Sequence, residues 1–278
     1  MTRRSTGGIN LKTKKLAGLL LMTIVSLAYP AYGRGVNGYH DTAVDKTWAK
    51  VKQDYQHFYS PEHLTHLGIA FGVGGVMANT DLDENIRERF QKDFRSSGTD
   101  DISKNAKLLG EGKYLIPLSL LAAGVGSLYS TNPEASGIGE WGWRSARAYL
   151  VGGPALLLMQ VVTGGSRPGE SHNASHWNPL KDSNGVSGHA LIGAIPFLTA
   201  GRMSESRFLR YLFFTASTAA GWSRINDDAH FASQALLGWY MGWEAVGAVT
   251  ESEKAGRDFR ISPLVLNEGY GLRLSWSW

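Results

Sequence analysis

Apolar residues recur at helical spacing along most of this chain, and alternating β-branched patterns are scarce. In one charged segment, for example, Ile86, Phe90 and Phe94 follow each other at intervals of four. No repeat, low-complexity tract or long linker divides residues 34–257, so we predict one all-α domain, a helical bundle, with a turn at Ser96–Asp101. The predicted helices are Thr42–Tyr59, Glu62–Ala78, Asp83–Phe94, one near Ile102–Leu109, Tyr114–Tyr129, Trp143–Thr163, Ser187–Thr199, Ser206–Trp222 and Ala229–Val249.

The last residues change character. From Tyr270 to Trp278 apolar and small or polar residues alternate strictly, which predicts a β-strand. A turn at Asn267–Gly269 would join it to an edge strand at Phe259–Leu266. An alternating strand that ends in an aromatic residue resembles the last strand of an outer-membrane barrel, but one hairpin cannot close a barrel. We therefore predict that residues 258–278 form a short C-terminal β-hairpin that covers the bundle.

Two of the apolar segments are long enough to raise the question of a membrane. Tyr114–Pro133 is 20 residues without a charge and Ala148–Ser166 is 19, yet the mean hydropathy of the whole chain is only −0.18. A buried helix of a packed bundle is also apolar on every side. We favour a soluble or peripheral bundle, with a multi-span protein as the alternative.

The first 33 residues have the layout of a secretory signal peptide. A basic stretch ending at Lys15 precedes the apolar run Leu16–Ala28, and Ala31-Tyr32-Gly33 offers small residues for cleavage. The run is short for a membrane span, so a retained anchor is the lesser alternative. We expect an exported protein, either periplasmic or associated with the outer membrane.

The net charge of +4 also comes from this leader. Residues 1–33 hold five of the 28 basic residues and no acidic one, which leaves 23 basic against 24 acidic residues and a net charge of −1. Binding to nucleic acid through bulk positive charge is therefore not expected. The absence of cysteine excludes disulfides, thiolate metal sites and a cysteine nucleophile.

Three short clusters lie where loops meet apolar helices: Arg167-Pro168, Ser187-Gly188-His189, and Ser223-Arg224 followed by His230. Together they supply what a bound phosphate needs. Arginines give forked, permanently charged donors, and a serine N-cap exposes the N–H groups of a helix start to an anion. Glycine allows close approach of a ligand to the backbone. Of the two histidines, His230 fits the group that attacks phosphorus and His189 the group that protonates the leaving oxygen.

A metal site is the rival use of histidine. His172 and His176 are four residues apart and could share a helix face, with Asp227 and Asp228 further along the chain. That loop is polar and lacks an obvious third ligand. We therefore predict neither a metal nor a cofactor.

The three clusters resemble the signature of the type 2 phosphatidic acid phosphatase and haloperoxidase superfamily, which reads Lys-x6-Arg-Pro, Pro-Ser-Gly-His and Ser-Arg-x5-His-x3-Asp. The resemblance implies an all-α bundle and metal-free hydrolysis. It implies that His230 is the nucleophile and His189 the general acid, and that some family members bind vanadate in the same pocket. The phosphate-binding residues it implies are Gln160, Arg167, Ser187, Gly188 and Arg224, with Gln234 next to the nucleophile.

Three positions depart from that signature. Val186 replaces a proline without consequence for the chemistry. Gln160 replaces a lysine and supplies no charge, which can cost about 10²–10³ in rate. Gln234 replaces the aspartate that orients the nucleophilic histidine, and it cannot stabilise an imidazolium; Asp227 or Asp228 is a candidate to replace the missing carboxylate.

The resulting expectation is a metal-independent phosphatase that works through a phosphohistidine intermediate. The apolar surroundings and the resemblance favour a lipid phosphate or pyrophosphate at a membrane surface, ahead of a small soluble phosphomonoester. A non-catalytic pseudo-phosphatase that binds phospholipid stays open as the alternative, and a vanadate-dependent haloperoxidase as a lesser one.

Overall fold

The computed structural model describes residues 43–128, 133–171, 173–255, 260–266 and 269–275. Between Ala43 and Ala255 the described residues are mostly helical, which confirms the all-α prediction for this part of the chain. The helices are α1 (Ala43–Phe58), α2 (Pro61–Ala78), α3 (Leu82–Asp93), α4 (Ser97–Leu108), α5 (Gly112–Leu128), α6 (Pro133–Thr163), α7 (Gly188–Met203), α8 (Arg207–Ala216), α9 (Ala219–Asn226) and α10 (Ala232–Ala255).

Serine caps decide where several helices begin. Ser60 caps α2, and its side chain accepts a hydrogen bond from the His63 N–H. Pro61 suits the first position of this helix, because proline lacks the N–H that a first helical position leaves unpaired. Ser96 and Thr99 form a reciprocal capping box, in which each side chain accepts a hydrogen bond from the backbone of the other. The predicted turn at Ser96–Asp101 is therefore wrong, since the box starts α4 at Ser97.

The predicted helix Ser206–Trp222 is two helices. At the break, the Ser217 hydroxyl donates to the Phe214 carbonyl at 2.6 Å, and the Thr218 hydroxyl donates to the Thr215 carbonyl at 2.8 Å. Such side-chain bonds compete with the helical backbone ladder. The break separates α8, which has no buried residue, from α9, which carries the buried Arg224.

The core lies around α10, which packs against α7, α6, α1 and α2. Leu191, Ile195 and Leu198 of α7 and Met241 and Val249 of α10 are almost fully buried in one cluster. Residues from α1, α2 and α6 complete it. The last turn of α6 and the first turns of α7 and α10 are thereby held close together.

A buried ion pair joins α1 to α6. The guanidinium of Arg147 is fully buried and binds the buried carboxylate of Asp54 through two nitrogens, at 2.7 and 2.5 Å. The carboxylate of Glu253 and the hydroxyl of Ser252, both on α10, occupy other donors of the same guanidinium. One arginine thus ties three helices together.

By length and composition, one stretch of the described residues, Gly137–Thr163, could cross a membrane. The bent pair Ser97–Leu108 and Gly112–Gly126 passes the same test only if it counts as one span. Many core helices of soluble proteins are equally apolar. The preference for a soluble or peripheral bundle stays a prediction.

Near the C-terminus two strands, β1 (Arg260–Leu266) and β2 (Gly269–Ser275), pair antiparallel, with Pro263 opposite Leu272. The predicted turn residues Asn267 and Glu268 and the predicted signal peptide at residues 1–33 lie outside the described residues. The hairpin over residues 258–278 as a cover for the bundle stays a prediction.

We expect Asp54→Ala to lower the free energy of unfolding by about 3 kcal/mol, because it leaves the buried Arg147 charge with fewer partners. Urea titration followed by circular dichroism measures this change. The control is Asp101→Ala, which removes an exposed pair with Lys104 and should cost less than about 1 kcal/mol. Equal losses for the two variants would contradict the assignment.

Candidate active site

Three hydrogen bonds join the segments that carry the predicted site residues. The backbone N–H of Ser187 donates to the carbonyl of Gln234 at 2.9 Å. The side-chain amide of Gln160 donates to the Val186 carbonyl at 2.8 Å. The Asn184 N–H donates to the Gly165 carbonyl at 3.0 Å. The end of α6, the loop before α7 and the start of α10 therefore form one connected unit.

A left-handed residue turns the chain after α6. Gly164 has a φ of +61°, and a Cβ there would lie 1.9 Å from the Asn178 carbonyl oxygen. Only glycine accommodates both the conformation and the contact. This turn brings the segment after α6 against the loop before α7, where the Asn184 N–H donates to the Gly165 carbonyl.

Ser187 is the N-cap of α7, as predicted. Its buried hydroxyl accepts a hydrogen bond from the Ala190 N–H at 3.4 Å. A Cβ on Gly188 would make only ordinary contacts, 3.7 Å from Gln160 and 3.8 Å from Leu156. Packing within the protein does not demand a glycine here, which agrees with a role in admitting a ligand to the helix start.

Gly238 on α10 sets how close α10 lies to this helix start. A Cβ on Gly238 would lie 2.2 Å from the Ser187 carbonyl oxygen. Any larger residue would push the two backbones apart. The residue carries no motif, so nothing in the sequence marked it as part of the site.

The imidazole of His230 is held in one tautomer. Gln234 has a defined orientation, because its Nε2 donates to the Ser166 carbonyl at 2.8 Å and its Oε1 accepts from the Phe231 N–H at 3.2 Å. The same Oε1 lies 2.8 Å from Nδ1 of His230. Nδ1 must therefore carry the hydrogen, and Nε2 keeps a lone pair.

His230 is also neutral over the physiological range. Burial lowers the pKa of His230 to about 3, and the charges of Arg167 and Arg224 and the His189 ring act in the same direction. The hydrogen bond to Gln234 raises it only in part. A neutral imidazole with a free Nε2 is the form in which histidine is a nucleophile.

Arg224 is buried beside this histidine. Its Nη1 donates to Asp227 at 3.1 Å, and the Asp227 carboxylate also accepts from the Ser103 hydroxyl at 2.6 Å. The buried Nε of Arg224 has no hydrogen-bond partner among the described residues. Burial lowers the pKa of Arg224, but an arginine stays charged in proteins. A desolvated cation with an unused donor is suited to an anion.

Arg167 is the outermost residue of the group. It is exposed, and its Nε donates to Asn184 Oδ1 at 3.0 Å. Its charge lowers the pKa of both His230 and Arg224, so it lies near both. The hydrogen bond to Asn184 holds the guanidinium against the loop before α7.

Gln160 lies beside the α7 helix start, but its amide already serves the protein. The hydrogen bond from Nε2 to the Val186 carbonyl stabilises the loop before Ser187. At this position the signature has a charged lysine, whereas here the side chain supports the loop.

His189 is half-buried in the first turn of α7. Its Nε2 lies 3.5 Å from a carboxylate oxygen of Glu111. Burial and the charges of Arg224 and Lys107 lower the pKa of His189, while Glu111 raises it. Glu111 was not predicted, because a single glutamate between two glycines in a turn carries no motif.

Neither Asp227 nor Asp228 replaces the missing aspartate at position 234. Asp227 binds Arg224 and Ser103, and Asp228 binds Arg87 through two nitrogens at 2.6 and 2.7 Å. Asp228 has a φ of +53°, a strained conformation for a residue other than glycine, and lies two residues before His230. Its ion pair with Arg87 holds this turn.

The histidines and aspartates considered above as metal ligands do not form a group in the described residues. Asp227 and Asp228 are engaged by arginines, and His172 lies outside the described residues. In the described ranges no three histidine or acidic side chains form a metal-binding group.

The site lies within a recognised family segment. Residues 150–255 match the family model of the PAP2 superfamily, the type 2 phosphatidic acid phosphatase superfamily that the motifs resembled. This part of the chain is similar to members of the PAP2 superfamily. No curated protein and no solved structure matches the chain.

The PAP2 segment contains every residue predicted for the site, from Gln160 to Gln234. The match to the PAP2 family model supports a phosphatase or phosphoesterase at the level of the reaction class. The individual roles of these residues stay predictions. Glu111, Ser103 and Lys107 approach the site from α4 and from the turn after it, outside the PAP2 segment.

We expect acid to destabilise the protein through His230. The folded-state pKa, about 3, is below the ordinary value of 6.5, so the unfolded chain binds the proton first and stability falls as pH decreases from about 6.5 toward 3. Replacing the ring by an amide in His230→Asn should remove part of this fall. Urea titrations at a series of pH values measure it, and Gln56→Asn, an exposed exchange on α1 without a titrating group, should keep the pH dependence of the wild type. The same pH dependence in the wild type and His230→Asn would contradict the assignment.

Proposed function

We propose that this protein is a metal-independent phosphatase that hydrolyses a phosphate ester through a phosphohistidine intermediate. The observation that carries the proposal is His230, neutral and held with Nδ1 protonated, beside two arginines and a capped helix start. These groups provide a nucleophile and charge stabilisation without a metal ion.

In the proposed reaction the phosphate is bound by Arg167, Arg224 and the N–H groups at the start of α7. Nε2 of His230 attacks phosphorus while the ester P–O bond breaks, and His189 donates a proton to the departing oxygen. Water then attacks the phosphohistidine, the P–N bond breaks, and His189 takes up the proton of that water.

Gln234 and Gln160 should both lower the rate of this reaction relative to charged residues at the same positions. Attack by Nε2 gives the ring positive character, and the neutral Gln234 stabilises that charge less than a carboxylate. Gln160 adds no charge next to the phosphate, and its amide is bonded to Val186. A pseudo-phosphatase that binds phosphorylated lipid is therefore the second candidate function.

Exposed apolar side chains beside the site favour a lipid substrate. Four of them lie on the last turns of α6, next to Gln160. The fifth, Leu180, lies in the following loop, and its N–H donates to the Val161 carbonyl at 3.0 Å. An apolar surface next to a charged site is typical of proteins that meet lipid. These side chains are Leu157, Leu158, Val161, Val162 and Leu180.

The proposal includes an exported location, periplasmic or at the outer membrane, because residues 1–33 have the pattern of a signal peptide. A membrane surface would bring a lipid phosphate or pyrophosphate to the apolar side chains of α6. A small soluble phosphomonoester is the substrate class next in order.

A substrate panel tests the function. We expect the purified protein to release phosphate faster from phosphatidic acid or a lipid pyrophosphate in mixed micelles than from a short-chain alkyl phosphate. Release should persist in EDTA and fall by about 10⁴ or more in His230→Ala. The matched control is His66→Ala, which removes an exposed histidine of α2, outside the segment 150–255, and should leave phosphate release unchanged. Lipid phosphate binding without release in the wild type would favour the pseudo-phosphatase, and turnover that requires added zinc would contradict the mechanism.

Position 234 gives a second test. We expect Gln234→Asp to raise kcat by about 10- to 100-fold, less than the ~10⁴ lost by a serine protease on Asp-to-Asn exchange, because Gln234 already selects the right tautomer. Initial rates of phosphate release measure this change. Gln56→Asp, an exposed exchange of the same kind on α1, should leave kcat unchanged. An unchanged kcat in Gln234→Asp would mean that the charge at position 234 does not limit the rate.

A further inference from the structure

The turn between α4 and α5 is fixed against the catalytic end of α7. A Cβ on Gly110 would lie 2.8 Å from the carbonyl oxygen of His189, and a Cβ on Gly193 would lie 2.6 Å from that of Leu109. These distances show direct backbone contact between the turn and the first turns of α7. The position of the turn relative to His189 is therefore set by the packing of two backbones.

Glu111 is the next residue in this turn, and its backbone is held on both sides. Its N–H donates to the Leu108 carbonyl at 3.2 Å, and its carbonyl accepts from Tyr114 and Leu115 at 2.9 and 3.2 Å. The carboxylate lies 3.5 Å from Nε2 of His189 and 3.9 Å from the exposed ammonium of Lys113. The side chain is thus directed at a ring that the proposed reaction uses.

The charged groups around His189 mostly oppose its protonated form. Arg224 from α9 and Lys107 from α4 lower the pKa of His189, as does burial, and the His230 ring lies nearby. Among the described groups that act on His189, Glu111 alone raises its pKa. Without Glu111, a proton on His189 would meet only burial and like charge.

We propose that Glu111 is a positioning residue of the active site, which orients the His189 ring through Nε2 and keeps a proton on it for transfer to the leaving oxygen. The inference rests on the proposed phosphatase function. It adds a residue from outside the segment 150–255 and from outside the three motifs.

The geometry gives each ring nitrogen a separate task. When His189 is protonated, Nε2–H donates to Glu111, and Nδ1 has no hydrogen-bond partner among the described residues. Nδ1–H then supplies the proton to the ester oxygen as the P–O bond breaks and the Nε2–P bond of His230 forms. Afterwards Nδ1 accepts the proton of the attacking water, and His189 returns to its starting state.

Esters with different leaving groups test the inference. A p-nitrophenyl ester has a good leaving group and needs little acid assistance, whereas an alkyl ester needs the proton. At pH 7 we expect Glu111→Gln to lower kcat/KM about tenfold or more for an alkyl phosphate and by less than about threefold for p-nitrophenyl phosphate. The ratio kcat/KM covers the steps up to alcohol release, so slow hydrolysis of the intermediate does not mask the effect.

The pH profile adds a readout that a purely structural role would not change. In the wild type kcat/KM for the alkyl ester should fall as pH rises, because His189 loses its proton. In Glu111→Gln this fall should occur at lower pH, and in Glu111→Asp, which keeps the charge, between the two. Asp101→Asn, an exposed exchange on α4, should match the wild type. Equal losses for both esters with an unshifted profile would overturn the inference.

A measurement that needs no turnover separates this inference from the proposed function. NMR titration of ¹⁵N-histidine protein, with the His189 signals assigned from His189→Asn, should show that His189 titrates at lower pH in Glu111→Gln than in the wild type. If the wild type hydrolyses neither ester but this shift is seen, the phosphatase proposal fails and the coupling of Glu111 to His189 stands. If the His189 titration is unchanged in the folded variant, the inference about Glu111 is wrong.

Discussion

The hydrogen bond between His230 and Gln234 is the constraint on which the chemistry of this site depends. An imidazole can attack only through an unprotonated nitrogen, and the amide selects which nitrogen that is because its own two ends are occupied by Ser166 and Phe231. An aspartate in this position would select the same tautomer and add a charge. Gln234 therefore separates two effects that an aspartate combines, the orientation of the ring and the stabilisation of its cation.

The electrostatics of the site follow from the same burial. Taking His230 and Arg224 out of water keeps the histidine neutral and makes the arginine a strong partner for an anion. Two carboxylates near the site contact its other basic residues: Asp227 binds Arg224, and Glu111 faces His189. Among the residues that the structure describes, no carboxylate hydrogen-bonds the His230 ring, and its Nδ1 partner is the neutral amide of Gln234.

The sequence predicted the helical class, most helix positions and the segments that meet at the site, because apolar periodicity and capping residues are local signals. Ser187 shows this, since a serine before an apolar run is a cap in the structure as well. The break at Ser217 was missed because hydroxyls that bond back to the helix look like ordinary polar positions. Glu111 and Gly238 were missed because their importance comes from contacts with residues some 50 to 80 positions away.

The contact between Gly238 and Ser187 has a consequence for how such a protein diversifies. The spacing between the start of α7 and α10, the helix that follows His230, is determined by two backbones in contact, without an intervening side chain. Substitutions on the exposed face of α6 or in the outer loops can therefore change which molecules reach the pocket while its internal dimensions stay constant. New specificities would then arise at the rim, on a reaction centre of unchanged geometry.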